Sequence, residues 1–427
     1  MSPPVVRSTR ATSPFTPLAS RTLAWWGRHG SDVLSWAAAL MAPVALVWLG
    51  YGTWRLLWQP TPTGAGDLAQ RWIEVRDMFA GKDVYLSNGN ATYPPATIAI
   101  LWPVLSWPPF ATARWLWAVL TVGALVGIVR VVARASGAMS KTEHWVTTLL
   151  PLVMFATCAA TGNGQVTVLV VACLLASLPI LLCEDRVRPL ALAALFFVAA
   201  LVKPSLAAPF FWMVLFRPKR TLWAIAIGSF YLVLTVVPGL AQPGGAVQLC
   251  HEYLARIGYD AAKAAASIGD ANVHSWLIAV RRSEWDTAGS LVVLGLLGLW
   301  TWRHRRADPW LLMSAAAFAA RFWTYHTSYD DLILLIPMIA LFRLAKHGAS
   351  DGKRVWAGLL LTVMLASTVA PSGPYRPAPK WLYLLPTPCN DAYDVARVVI
   401  WLSACVFLLR ATCPWVAKNR SVSMSPR

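Results

Sequence analysis

The sequence predicts an all-α polytopic membrane protein with about 12 transmembrane helices, the helix length being set by bilayer thickness. Three observations lead there. Of 427 residues, 57% are hydrophobic and only 13% are charged. The apolar residues gather into runs of about 15 to 25, long enough to cross a hydrocarbon core as helices. The formal charge of +18 sits in short basic clusters between those runs. Such clustering follows the positive-inside rule, so no nucleic-acid partner is expected. Lipid offers the backbone no hydrogen-bond partner, so the runs must be helices, and the alternation of a barrel strand is absent.

Along the chain, residues 1–32 form a Ser-, Thr-, Pro- and Arg-rich segment with no acid before Asp32. It is expected to be a disordered cytoplasmic tail, because the apolar run after it is too long for a cleaved signal peptide. A single integral domain covers 33–413, and a second cytoplasmic tail covers 414–427. Spans are expected at 33–58, 93–107, 112–133, 145–160, 165–183, 189–216, 221–239, 287–302, 308–320, 328–345, 354–371 and 394–412. The basic groups at Arg217 to Arg220, Arg303 to Arg306, Lys346 with Lys353 and Arg354, and Lys418 with Arg420 fall on one side, the cytoplasmic one. That parity leaves 59–92, 240–286, 321–327 and 372–393 as outer loops. The run 189–216 contains Lys203 and Pro204 and is expected to be one kinked helix. As a hairpin, each arm would reach only about 20 Å across a core of about 30 Å. Most of the seven cysteines lie in apolar runs, which speaks against a disulfide framework. Cys250 and Cys389, each in an outer loop, form one candidate bridge.

The outer loop from Gly64 to Pro95 holds the first candidate for chemistry. Leu68, Trp72, Val75 and Phe79 recur at helical spacing, while Arg71, Glu74, Arg76 and Asp77 fill other faces, the pattern of an amphipathic helix lying on a membrane surface. A second such pattern, with Cys250, Leu254, Ile257 and Ala261 on one face, runs through the loop 240–286. Asp67 opens the first helix. With Gln70 it has the spacing of a capping box; equally, it is a carboxylate just beyond a span, placed to act as a general base. Lys203 lies between apolar residues, where a charge needs a partner or a purpose: snorkelling, pairing with a carboxylate, or holding an anionic head group. Between Arg321 and Asp331, Arg321 and His326 offer positive charge and donors to a phosphate, and Tyr325 and Tyr329 offer walls for a sugar. Asp330 and Asp331 read as acids favoured by the dipole of a helix's first turn.

No phosphate-cradling Gly-rich loop with Lys, no nucleotide-binding GxGxxG, no HExxH and no CxxC occurs. No metal or other cofactor is expected, and any transferred group must arrive already activated. An outward acid, outward cations and tyrosines suit a sugar carried on a polyprenyl phosphate, passed to a glycolipid acceptor among the membrane lipids. Asp67 would deprotonate the acceptor hydroxyl while cations stabilise the departing phosphate, and a single displacement inverts the anomeric centre. A lipid or polysaccharide transporter is the alternative, using the same charges as a path. The oligomeric state has no signature in the sequence.

The order of these features resembles the membrane-embedded GT-C glycosyltransferases, most nearly glycosyltransferase family 87. The residues that carry it are Asp67, Gly81 with Tyr85, Tyr93-Pro94-Pro95, Gly164-Gln165, Lys203-Pro204, and Arg321 through Tyr325-His326 to Tyr329-Asp330. The resemblance implies a GT-C type fold and a multi-pass cell-membrane enzyme with its site outside the cytoplasm. It further implies transfer of mannose from polyprenyl-phosphate mannose to an acceptor such as a phosphatidylinositol mannoside. It places Asp67 at the family's first-loop catalytic acid and His326 at a donor-site histidine, and it matches Lys203 and Arg321 to family positions. Thr167 departs from the pattern, which often has Asn soon after the Gly-Gln pair.

Overall fold

The computed structural model describes residues 16–87, 91–264, 282–370 and 387–422, with isolated positions between 272 and 280. Among the described residues there are helices and connecting turns and no strands. The chain begins with α1 (Thr16–Trp58), so helix already occupies half of the stretch expected to be a tail. After it come α2 (Gly66–Phe79), the single turn α3 (Val84–Ser87), α4 (Pro95–Leu105) and α5 (Phe110–Ala135). The pair α6 (Lys141–Val153) and α7 (Phe155–Asn163) is followed by α8 (Thr167–Cys183), α9 (Val187–Ala200), α10 (Pro204–Phe216) and α11 (Thr221–Val236). Then come α12 (Gly245–Ala264), α13 (Asp286–Arg303), α14 (Pro309–Phe322), α15 (Leu335–His347), α16 (Asp351–Val369) and α17 (Thr387–Val422). A 3-10 turn, Ser328–Leu334, leads into α15. The last helix continues to Val422, past the expected end of the membrane domain.

Four helical segments are long and apolar enough to cross a membrane: Leu18–Trp58, Phe110–Ala135, Thr221–Ala241 and Tyr393–Thr412. The pair α6 and α7, bent by 45°, makes a fifth. The apolar helices α4, α8, α9 and α10 are shorter, so length and composition mark fewer spans among the described residues than the 12 expected. Two of the expected spans are broken. Met154 adopts an extended conformation (φ −63°, ψ 128°) between α6 and α7, three residues after Pro151. The expected continuous helix 189–216 is likewise divided, because Leu201 to Lys203 interrupt it and Pro204 starts α10 as its first residue. Proline has no N–H to continue a helix and suits its first turn, which is where Pro204 stands.

Local chemistry sets other helix ends. Ser140 and Glu143 form a capping box at the start of α6, and Lys346 of α15 pairs with the same Glu143. Asp308 caps α14 by accepting from Trp310 N at 2.9 Å, with Pro309 as the first helical residue. The core is continuous, from Leu56 and Leu68 through Trp117, Phe197 and Phe210 to Phe318 and Trp401. Large apolar side chains such as Trp36, Leu40, Leu46, Leu222 and Leu291 point outward. On long apolar helices, such surface is what lipid would cover.

Candidate active site

The first turn of α2 is set by its neighbours and not by a cap of its own. Ala65 precedes the helix in the left-handed conformation (φ 53°, ψ 28°), with no side-chain cap. Its N–H donates to the Gly162 carbonyl at 2.9 Å. Gly164, also left-handed (φ +68°), lies so close that a Cβ there would stand 2.5 Å from Leu68 Cβ. The Gly162–Gln165 stretch that ends α7 is therefore a seat for α2, and at position 164 only glycine fits. The expected capping box of Asp67 and Gln70 does not form, because Asp67 lies inside the helix, after Ala65 and Gly66.

Asp67 instead faces the protein interior. Its Oδ2 is buried without a hydrogen-bond partner, and Gln165 reaches the carboxyl. Burial pushes its pKa up from the ordinary carboxylate range, against Gln165, Arg71 and Lys203, which favour the charged form. The helix presents a mixed face inward: Leu68, Val75 and Met78, but also Arg71 and Glu74. The sequence pattern had assigned those two charges to other faces. They form an ion pair with Arg71 Nη1 2.5 Å from Glu74 Oε2. The Arg71 guanidinium lies 4.2 Å over the Tyr93 ring, and the Tyr93 hydroxyl donates to Gln165 Oε1 at 3.2 Å.

Behind Asp67, three parts of the chain converge on Asp330. Lys203, at the break between α9 and α10, donates Nζ to Asp330 Oδ1 at 2.6 Å. Thr167, at the start of α8, donates to the same oxygen at 2.7 Å. His326 Nδ1 stands 2.9 Å from Asp330 Oδ2. Lys203 also lies 4.8 Å above the Tyr329 ring. Asp330 is thus a hub for buried donors rather than only an acid favoured by a dipole. A carboxylate there fixes the imidazole with Nδ1–H donating, which leaves Nε2 as the acceptor atom of the neutral ring. That Nε2 is buried and has no hydrogen-bond partner. Burial lowers the His326 pKa, opposed by its hydrogen bond to Asp330. Thr327 Oγ1 and Ser328 Oγ beside it are also buried without partners.

The other sequence candidates are placed elsewhere. Arg321 belongs to a second buried cluster, with Nε 2.5 Å from Asp331 Oδ1. Arg397 of α17 pairs with Asp331 Oδ2, and both guanidiniums lie beside Trp401, at 5.4 and 4.6 Å from its ring centre. Asp331 therefore ties α14 and α17 to the turn whose other acid holds Lys203 and His326. Tyr325 is 42% exposed, while Tyr329 is buried under Lys203. Cys250 is a free thiol, and the side chain of Cys389 lies outside the described residues. Among the described residues no group of three His, Cys, Asp or Glu is arranged to hold a metal ion. Sequence reasoning missed the Arg71–Glu74 pair and Arg397. For Arg397 a signal existed, since it is an arginine inside the apolar run 394–412, where an unpaired charge is costly.

Taken together, the site offers a buried carboxylate oxygen, a buried imidazole nitrogen and a lysine held on a carboxylate. That set can accept a proton and can bind hydroxyl and anionic groups. Comparison with curated proteins and with solved structures gives no match. A family model does match: glycosyltransferase family 87, over residues 91–323. The match includes Tyr93, Gln165, Thr167, Lys203 and Arg321, and stops short of Asp67 on one side and His326 on the other. It spans more than half of the 427 residues, and the chain belongs to glycosyltransferase family 87, a family of membrane enzymes that transfer a sugar from a donor to an acceptor.

Proposed function

We propose that this glycosyltransferase works by inversion, moving mannose or a similar hexose from a polyprenyl phosphate to a lipid-linked acceptor such as a phosphatidylinositol mannoside. It would do so on the outer side of the cell membrane, within a GT-C type architecture. The observation that carries the reading is Asp67 Oδ2, a buried carboxylate oxygen without a partner, beside a polar network that already contains a lysine. Structural carboxylates are buried with their oxygens satisfied; one left open is available to a substrate.

In the proposed reaction the acceptor hydroxyl oxygen attacks the anomeric carbon, and its proton passes to Asp67. The bond from that carbon to the phosphate oxygen breaks, and the phosphate leaves with the electron pair. Lys203 offsets the charge that develops on the leaving group, so no metal is needed for that purpose. Asp330 keeps the lysine and His326 in place. Neutral His326 accepts a sugar hydroxyl at Nε2; when protonated it donates there to a phosphate oxygen. Tyr329 forms a wall under Lys203. Arg321 stabilises the turn through Asp331 instead of touching the donor.

The test uses purified wild type and Asp67→Asn in detergent with radiolabelled polyprenyl-phosphate mannose and a membrane lipid extract. Asn has nearly the same shape, and the structure gives Asp67 no cap to lose. Label should enter a new glycolipid with wild type and fall by at least about a thousandfold with Asn, the loss typical of a missing general base combined with its charge. Equal transfer by the two proteins would remove Asp67 from the chemistry. Transfer from a nucleotide sugar but not from the lipid donor would overturn the donor class.

A further inference from the structure

The ion pair of Arg71 and Glu74 takes no part in the proposed chemistry, yet it is buried on the helix that carries Asp67. Asp67, Arg71 and Glu74 follow at spacings of four and three residues, which puts them on one face of α2. The pair is nearly inaccessible, with side chains 5% and 1% exposed. Gln70 Nε2 donates to Glu74 Oε1 at 3.1 Å, fixing the carboxylate from the other side. The Arg71 guanidinium is held over Tyr93, whose hydroxyl meets the glutamine that reaches Asp67. Desolvating two ions costs several kcal/mol each, and apolar residues of similar size would hold a helix down as well or better. Such a pair is poorly explained by stability alone.

We propose that Glu74 is a positioning residue: its ion pair fixes Arg71 between Tyr93 and Asp67, and its negative charge offsets the guanidinium so that Asp67 keeps the basicity needed to take the acceptor proton. The proposal rests on the reading of Asp67 as the base. An uncompensated arginine beside Asp67 would stabilise the carboxylate and make it a weaker base. No arginine at all would leave the base protonated by burial. The pair lies between these limits. Burial raises Glu74 to about 7, with Arg71 as the main opposing influence, and Arg71 also favours the charged form of Asp67.

The other charged groups nearby are already engaged. Lys203 and Asp330, which both act on Asp67, are paired with each other, and His326 is bound to Asp330. Arg55 of α1 and Arg114 of α5 donate to the backbone carbonyls of Thr63 and Gln59. Tyr85 of α3, with Tyr253 and Cys250 of α12 beyond it, approaches the pair from the remaining side, and Tyr85 donates its hydroxyl to the Tyr93 carbonyl at 2.8 Å. Glu74 is thus the acid placed to balance Arg71.

The experiment is the pH profile of kcat/KM for lipid-donor sugar transfer in wild type, Glu74→Gln, Glu74→Asp and Arg71→Gln, with Asp67→Asn alongside. Glu74→Gln should move the acid limb to lower pH by about one unit and reduce the plateau about threefold, the cost of a weaker base. Glu74→Asp should restore the wild-type limb. Arg71→Gln, in which Glu74 can take up a proton, should move the limb upward and serves as the test where Glu74→Gln does not fold. An acid limb within about 0.2 units of wild type in both Gln variants would overturn the proposal. If Asp67→Asn retains transfer, the base reading fails instead, and the two failures are distinguishable.

Discussion

Gly164→Ala tests whether the turn after α7 places Asp67. The backbone there is left-handed, at φ +68°. An alanine in that region costs about 1–2 kcal/mol before any contact is counted. Its Cβ would also meet Leu68 Cβ at 2.5 Å and Leu56 Cδ1 at 3.4 Å. The leucine Cβ cannot swing away as a side-chain tip would, since it moves only with the backbone of the α2 first turn. Overpacking of this kind costs about 1–3 kcal/mol, so destabilisation of about 2–5 kcal/mol is expected in all. Any relief comes from displacing Leu68, the residue after Asp67, and an error of about 1 Å in a reacting group costs about a hundredfold in rate. Sugar transfer and thermal unfolding in detergent would be measured on the same preparations. Gly228→Ala on α11 is the control, because a Cβ there has nothing within 4 Å and helical alanine is favoured over glycine. Wild-type melting and wild-type transfer by Gly164→Ala would refute the seat.

Three further outcomes follow from the buried network. Asp330→Asn should cost about 3–5 kcal/mol, because it leaves Lys203 charged and buried without its carboxylate. Combined with Lys203→Met it should cost less than the two changes added together, and additivity within about 0.5 kcal/mol in detergent melting would show that the pair is not coupled. Arg397→Met should destabilise more than Arg397→Lys, since only the lysine keeps a charge on Asp331; equal melting temperatures would deny the tie between α17 and the 3-10 turn. Burial lowers the His326 pKa in the folded protein, so the unfolded chain binds the proton more readily. Its contribution to stability is therefore present above the unfolded value of about 6.5 and is lost as pH falls from there through the lower folded value. His326→Gln should flatten that dependence, and an unchanged melting profile between pH 5 and 8 would contradict it.

Much of the helical layout was legible, because it depends on the local run of apolar residues. The helices α5, α8, α11, α13 and α16 lie where hydropathy expects them. The division at Leu201 to Lys203 was only half legible: Lys203 and Pro204 announced a disturbance, but reach across a bilayer favoured a kink over a break. The start of α2 misled for a different reason. Asp67 and Gln70 obey the grammar of a capping box, while the actual start is fixed by a hydrogen bond from Ala65 to Gly162 and the fit of Leu68 on Gly164. No window around residue 67 contains that information.

The polar network was illegible for the same reason on a larger scale. Thr167 and Asp330, which share a hydrogen bond, stand 163 positions apart, and Lys203 and Asp330 stand 127 apart. What a sequence does show is each buried charge singly, as a cost without its partner. Lys203 was marked by that cost; Arg397 carried the same mark in the apolar run 394–412. Asp330 escaped because it begins a helical segment, where an acid has an inexpensive explanation. Once the partners are placed, the accounting changes sign. Lys203, Asp330, Arg321, Asp331 and Arg397 are explained by each other, and what stands out is Asp67 Oδ2 and His326 Nε2, buried and unbonded. Neither residue falls within the 91–323 family match, yet Gln165 and Lys203, which do, act on the Asp67 carboxyl, and Lys203 shares Asp330 with His326. The matched segment is therefore the frame that brings the two outlying residues to one place, and variants at Gln165 should report on Asp67 as sensitively as variants within α2 itself.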